Sequence, residues 1–194
     1  MLNKLLQKYN IILGSASPRR KELLSDIGIE FNIQTTDKEE KYPSTLKEEK
    51  IAEFLAQQKS TFLSENQKNT DLLITADTIV AYESQVLNKP QNKEEAFNIL
   101  NKLSGKTHKV ITGVCVKSIN REVTFSAITM VTFRKLKHEE IEYYINNFNP
   151  FDKAGAYGIQ DWIGQIGIQR IDGSYSNVVG LPTKELYEQL ELFI

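Results

Sequence analysis

The sequence predicts an α/β fold built on a mixed β-sheet flanked by helices, and three observations carry the prediction. In the first hundred residues, short apolar runs alternate with stretches of helical period. The middle of the chain holds two long β-branched runs, residues 110–116 and 123–133, separated by a polar turn at 118–121, which is the pattern of an antiparallel hairpin. Six of the ten glycines fall between Gly155 and Gly180, a density that calls for tight turns or close backbone approach.

The elements follow in order. Residues 11–13 are an apolar run ending at Gly14 and read as a buried strand. Ser17 then suits a helix N-cap and Pro18 the first helical position, where its missing N–H costs nothing. Leu23, Leu24 and Ile27 form the apolar stripe of that helix, and Gly28 ends it. A second strand is expected over residues 31–35. A long helix is expected over 45–62, with Thr45 and Glu48 at capping-box spacing and Ile51, Phe54, Leu55 and Phe62 on its buried face. Residues 72–80 are apolar and β-branched, as in a central strand. Asn92 and Glu95 open another helix, which carries Ala96, Ile99, Leu100 and Leu103 and stops at Ser104-Gly105. After the hairpin, residues 138–148 show helical period, with Ile141, Tyr144, Ile145 and Phe148 facing inward until Asn149-Pro150 breaks the run. A strand over 166–171 and an amphipathic helix over 182–193 complete the chain.

Composition excludes several classes. The chain has 194 residues, which fits one domain or two lobes sharing one sheet, and a single domain spanning 1–194 is expected. Its 24 Lys and Arg balance 25 Asp and Glu for a net charge of −1, which gives no global pull toward nucleic acid or an anionic membrane. One cysteine, Cys115, cannot make an internal disulfide, and with only His108 and His138 the chain is too poor for a closed His/Cys zinc site. The apolar run after residue 9 is too short for a signal peptide or a membrane span, so a cytoplasmic protein is expected.

Four segments could carry chemistry. In Gly14-Ser15-Ala16-Ser17-Pro18-Arg19-Arg20 a strand runs through small residues into a helix N-terminus, where free N–H groups and the macrodipole favour an anion. Arg19 and Arg20 are two of the chain's five arginines, and each is unfavourable there by roughly 0.3–1 kcal/mol. A bound polyphosphate would reverse that sign; the alternative is two solvated arginines on a surface helix. The P-loop spacing is missing.

Asp77 stands in Ala76-Asp77-Thr78-Ile79-Val80, inside an apolar run where a carboxylate is expensive to bury unpaired. It reads either as a strand-end turn residue or as a group that binds a divalent cation or takes a proton from water. Lys59 shares a helix face with Leu55 and Phe62, and so either snorkels or directs a cation into a cleft. Lys89 precedes Pro90 in a loop. Glu39 and Glu40 follow Asp37 in an acidic loop that could share a metal with Asp77. In Asp152-Lys153-Ala154-Gly155-Ala156-Tyr157-Gly158-Ile159-Gln160, Gln160 could pair with a base edge or sit exposed on a Gly-rich hairpin. Cys115 and Trp162 read as packing residues.

Taken together, the segments S-x-S-P-R-R-x-E-L-L (residues 15–24), A-D-T-I-V (76–80), L-N-K-P (87–90), L-S-G-K-T-H (103–108), D-K-A-G-A-Y-G-I-Q (152–160) and V-V-G-L-P (178–182) appear in order across nearly the whole chain. In this the chain resembles the Maf family of nucleoside triphosphate pyrophosphatases, and A-Y-G-I-Q resembles the branch acting on dTTP and UTP. The resemblance implies an elongated mixed sheet with a cleft between two lobes. It implies hydrolysis between the α- and β-phosphates of a nucleoside triphosphate with a divalent cation, Mg²⁺ or Mn²⁺, and a homodimer without nucleic-acid or membrane partners. Asp77 matches the catalytic acidic residue. Arg19, Thr78 and Gln160 match positions tied to base selection, and Ser15, Arg20, Glu40, Lys59 and Lys89 match cleft residues, with Asp77 and Glu40 the metal ligands. Maf-like proteins are also linked to septum formation, so the resemblance carries an alternative: a division regulator acting by partner or nucleotide binding.

Overall fold

Ile11, Ile12 and Leu13 extend as part of β1 (Asn10–Leu13) in the computed structural model, which describes residues 2–38 and 41–194. Before it lies a short helix that the sequence pattern did not announce, α1 (Leu2–Leu6), with Leu2 and Leu6 buried. After it comes α2 (Pro18–Asp26), where the Ser17 hydroxyl accepts the Arg20 N–H as foreseen. Gly28, at φ 74°, ends this segment. The expected second strand shrinks to β2 (Asn32–Ile33), both residues exposed.

The next helix, α3 (Glu49–Leu63), begins four residues later than its spacing suggested. The Thr45–Glu48 box does not form, because Glu48 turns the chain at φ 40° and caps with its backbone carbonyl, accepting from Ile51 and Ala52. Ala52, Ala56 and Ser60 join Ile51, Leu55 and Leu63 on the buried face, while Phe54 and Phe62 are half-buried.

Strand β3 (Asp71–Tyr82) is followed by β4 (Gln85–Leu87), α4 (Lys93–Leu103), β5 (Thr107–Lys117), β6 (Glu122–Phe133) and α5 (His138–Phe148). Asn92 caps α4 by accepting from the Glu95 N–H at 2.9 Å. At the turn between β5 and β6, Ser118 and Arg121 bond through both backbone and hydroxyl. The chain ends with α6 (Trp162–Gly167), β7 (Ile168–Asp172), α7 (Tyr175–Val179) and α8 (Thr183–Phe193).

Among the described residues, seven strands form one mixed sheet in the order β2-β1-β3-β5-β6-β7, with β4 on β3. β1 pairs in parallel with β2 and β3, so each connection must cross over through a helix, and α2 and α3 supply them. β4 on β3 and β7 on β6 are antiparallel. A polar ladder fixes the register where the parallel strands start. Asn32 donates to Asn10 at 2.7 Å, Asn10 donates to Asp71 at 2.8 Å, and Asp71 accepts the Lys68 N–H at 2.8 Å.

The chain divides into two interleaved units. The first comprises the residues up to Asp77, Thr112–Ala127 and Gly180–Ile194; the second comprises Thr78–Ile111 and Ile128–Val179. Each has its own core. In the first, Leu13, Leu24, Leu72 and Ile74 pack with Val114, Leu186 and Leu190. In the second, Leu100, Leu103 and Val110 pack with Phe133, Ile141, Tyr144 and Tyr157. No helix among the described residues is long and apolar enough to cross a membrane.

Candidate active site

In the first unit, the end of β1 and the middle of β3 hold the candidate residues. Leu13 pairs with Ile74, and the Gly14 N–H donates to the Ile74 carbonyl at 2.8 Å. Asp77 lies three residues farther along β3, roughly 10 Å beyond that pairing at strand rise. Ligands of open α/β sheets gather at this carboxyl end of the parallel strands. Gly14 has no room for a side chain, since a Cβ would come within 2.5 Å of Thr75 Cγ2 and 2.7 Å of Leu63.

Burial along β3 singles out the candidate residues. Residues 71–76 and 79–81 are buried, while Asp77 and Thr78 between them are partly buried. Successive strand residues face opposite ways, so the Asp77 and Thr78 side chains project from opposite faces of the sheet. Asp77 meets α3, where Lys59 Nζ sits 2.5 Å from Asp77 Oδ1 and donates to the Ala76 carbonyl at 3.3 Å. Lys59 therefore does not merely snorkel; its ammonium is aimed at the strand carboxylate. Two observations fix α3 against the sheet at this point. Thr75 donates to the Ala56 carbonyl at 2.6 Å, and a Cβ on Gly113 of β5 would lie 2.2 Å from the Ala52 backbone.

The two adjacent arginines are organised differently from a solvated pair. Arg20 Nε donates to the Gly180 carbonyl at 2.7 Å, and its Nη1 donates to Ser15 Oγ at 3.3 Å. Ser15 is buried and also accepts the Ser17 N–H at 3.3 Å. The serines, the helix start and the Arg20 guanidinium thus form one hydrogen-bonded corner at the N-terminus of α2. Gly180, at φ 131°, adopts a backbone conformation that L side chains rarely adopt, which accounts for the glycine in V-V-G-L-P. Sequence reasoning missed this anchor, because nothing local links positions 160 residues apart. Arg19, beside it, is half-buried.

In the second unit, Lys89 is exposed in the loop before α4, next to buried Pro90. Gln160 is exposed in a turn between buried Ile159 and the start of α6, so the expected Gly-rich hairpin is instead a pair of 3₁₀ turns leading into a helix. Gly155 and Ala156 there have φ of 72° and 59°. Tyr144, buried on α5, donates to Asp161 Oδ2 at 2.6 Å and accepts the Gly158 N–H at 3.2 Å. Sequence reasoning placed Tyr144 in the core and did not foresee this bond. His108 is buried against Phe133 and Tyr157, with Nε2 2.7 Å from the Tyr157 hydroxyl. Burial lowers its pKa to about 4, so the ring is neutral at pH 7. Cys115 is buried, and burial pushes its thiol up. Trp162 packs on Tyr143 and Phe148.

Glu40 lies outside the described residues. Among the described residues, no group of three or more His, Cys, Asp or Glu side chains is placed to hold a metal ion. Asp77 is a single-carboxylate donor, which suits a Mg²⁺-type ion that arrives with phosphate ligands and keeps its own waters.

Comparison with known proteins shows the fold and the family. The Staphylococcus aureus Ham1 protein shares the fold, with a TM-score of 0.52 at 14% identity over 95% of this chain and all of that one. A protein of Phocaeicola vulgatus named dTTP/UTP pyrophosphatase is 52% identical over 187 residues, 96% of this chain and 97% of its own length. A Flavobacterium johnsoniae protein of the same name is 44% identical over the full length of both chains. One from Porphyromonas gingivalis is 49% identical over 97% of this chain and 96% of its own. The profile of the family described as Maf-like protein matches residues 10–193. With the segments around Arg20, Asp77 and Gln160 all inside that match, the chain belongs to the Maf-like protein family.

Proposed function

We propose that the chain is a nucleoside triphosphate pyrophosphatase that hydrolyses dTTP and UTP to the monophosphate and pyrophosphate, with its two units acting as one functional domain. The single observation that carries the reading is the Lys59–Asp77 pair: a carboxylate inside a buried strand, held by a lysine from the facing helix. Full-length relatives named for this activity support the substrate class.

In this reading water attacks the α-phosphorus and pyrophosphate leaves. Lys59 fixes the Asp77 carboxylate through Oδ1, and Asp77 accepts the proton of the attacking water. Arg20, already oriented by Ser15 and Gly180, and Arg19 beside it present positive charge at the N-terminus of α2 to the triphosphate. Lys89 neutralises the leaving pyrophosphate. Thr78 and Gln160 contact the base, so that an unmatched base leaves polar groups unpaired. Asp77, with Glu40, is the protein's share of a divalent cation site, Mg²⁺ or Mn²⁺. A divalent ion held there would supply charge neutralisation on the phosphates. The family resemblance further supports a homodimer acting on free nucleotides in the cytoplasm.

The test is a panel of nucleoside triphosphates incubated with the purified chain and Mg²⁺, with pyrophosphate and orthophosphate quantified separately. Pyrophosphate release fastest from dTTP and UTP supports the reading; orthophosphate release, or no turnover, overturns it.

A further inference from the structure

Four residues, Gly158 to Asp161, form a tight turn in which the Asp161 N–H donates to the Gly158 carbonyl at 3.1 Å. The exposed residue of this turn is Gln160, and the residues on either side of it are tied down. Ile159 is buried, and its carbonyl lies so close to α6 that a Cβ on Gly164 would come within 2.2 Å of it. Asp161 stands at the N-cap position of α6, where a carboxylate ordinarily bonds the first free N–H groups, yet its side chain makes no capping bond. It accepts the Tyr144 hydroxyl instead, and the same hydroxyl accepts the Gly158 N–H. Tyr144 thus bridges the two ends of the turn, and Lys153 Nζ, bonded to Asp152 Oδ1 at 2.7 Å, lies 3.6 Å from Asp161 Oδ2. Gly158 leaves no room for a side chain, because a Cβ would sit 2.6 Å from the Asp161 carboxylate. Burial and the Asp161 carboxylate keep the Tyr144 hydroxyl protonated, so it remains a donor throughout the working pH range.

We propose that Tyr144 and Asp161 are positioning residues for substrate selection: their part-buried hydrogen bond clamps the turn so that Gln160 is presented to the base from one position. This rests on the reading of Gln160 as a base contact. Base selection gives such a clamp a use. Uracil and thymine present an N3–H donor beside an O4 acceptor, whereas cytosine presents an N3 acceptor beside an amino donor. A glutamine amide carries both a donor and an acceptor, and rotation of its last side-chain torsion sets which of them meets the base. A held backbone sets where that amide can reach, so the turn decides whether the amide meets the base edge at hydrogen-bonding distance. In a helix-capping role Asp161 would leave the turn's other end free; spent on Tyr144, it closes a ring around Gln160.

The test compares kcat/KM for UTP and CTP in Tyr144→Phe, Gln160→Ala and the double variant, with thermal unfolding of each. Tyr144→Phe keeps the ring in the core and removes only the bridging hydroxyl. We expect the UTP/CTP preference to fall about fivefold, the effect of one lost hydrogen bond, mainly through KM. We also expect Tyr144→Phe to add nothing to the preference lost in Gln160→Ala. If Gln160→Ala shifts the preference and Tyr144→Phe lowers both nucleotides equally, the clamp proposal fails while the base-contact reading stands. If Gln160→Ala leaves the preference unchanged, the base-contact reading fails and takes the clamp with it.

Discussion

Lys59 and Asp77 meet as an ion pair, Nζ to Oδ1 at 2.5 Å, with side chains only 13% and 16% exposed. At that burial solvent screens the pair weakly, and each partner depends on the other for compensation. Replacing Lys59 with Met leaves Asp77 without its ammonium while keeping most of the apolar stem. Stability should drop by about 1–3 kcal/mol in urea unfolding. The rate of pyrophosphate release should fall more than about tenfold, since the carboxylate loses its fixed orientation.

Gly113 faces the backbone of α3 across β5, and a Cβ there would lie 2.2 Å from the Ala52 carbonyl carbon and oxygen. No side-chain rotation relieves a clash with backbone. Gly113→Ala should therefore push α3 off the sheet, cost about 3 kcal/mol or more, and reduce activity by displacing Lys59. Chemical unfolding read by circular dichroism, alongside turnover of dTTP, measures both.

Arg20 donates from two different nitrogens, Nε to Gly180 and Nη1 to Ser15. A lysine keeps the charge but not the fork. Arg20→Lys should raise KM for dTTP about fivefold or more with a smaller change in kcat, because binding geometry is lost while the positive charge stays. Steady-state kinetics at saturating Mg²⁺ checks the split. An unchanged KM would mean that the guanidinium serves only the corner it is bonded to.

His108 gives the fold an acid sensitivity. Its pKa is lowered from 6.5 to about 4 by burial. Above pH 6.5 the ring is neutral in both folded and unfolded chains, and it adds no pH dependence. Between 6.5 and about 4 only the unfolded chain binds the proton, so stability falls as pH falls, and the loss levels off below about 4. The window amounts to about 3 kcal/mol. His108→Gln, which retains a partner for the Tyr157 hydroxyl, should flatten the stability profile across that window. Urea midpoints from pH 7 to pH 4.5 for the two proteins give the comparison.

Much of this architecture was legible because the signals are local. Asn92 and Ser17 cap their helices as their spacing implies, and residues 138–148 form the helix their period predicts. Where the reading failed, a nonlocal contact or a backbone turn prevailed. Thr45 and Glu48 have capping-box spacing, but Glu48 takes a positive φ and the helix starts later. Residues 31–35 have strand-like chemistry, but only Asn32 and Ile33 pair in register with β1, and the ladder ends where the Gln34 N–H donates to the Leu13 carbonyl at 3.2 Å. The candidate site divides the same way. Asp77 declared itself as a charge in an apolar run, and Lys59 as a charge on an apolar helix face. The Arg20–Gly180 and Tyr144–Asp161 bonds left no mark, because a backbone carbonyl and a core tyrosine look ordinary in sequence.

On the proposed function, Asp77 carries pyrophosphate release from a pyrimidine triphosphate. The most direct measurement is the product ratio from dTTP with Mg²⁺ for the parent chain and for Asp77→Ala, with circular dichroism confirming that both are folded. We expect thymidine monophosphate and pyrophosphate in equal amounts from the parent chain, and at least about a thousandfold loss of both in the variant. Undiminished pyrophosphate release from a folded Asp77→Ala protein would contradict it.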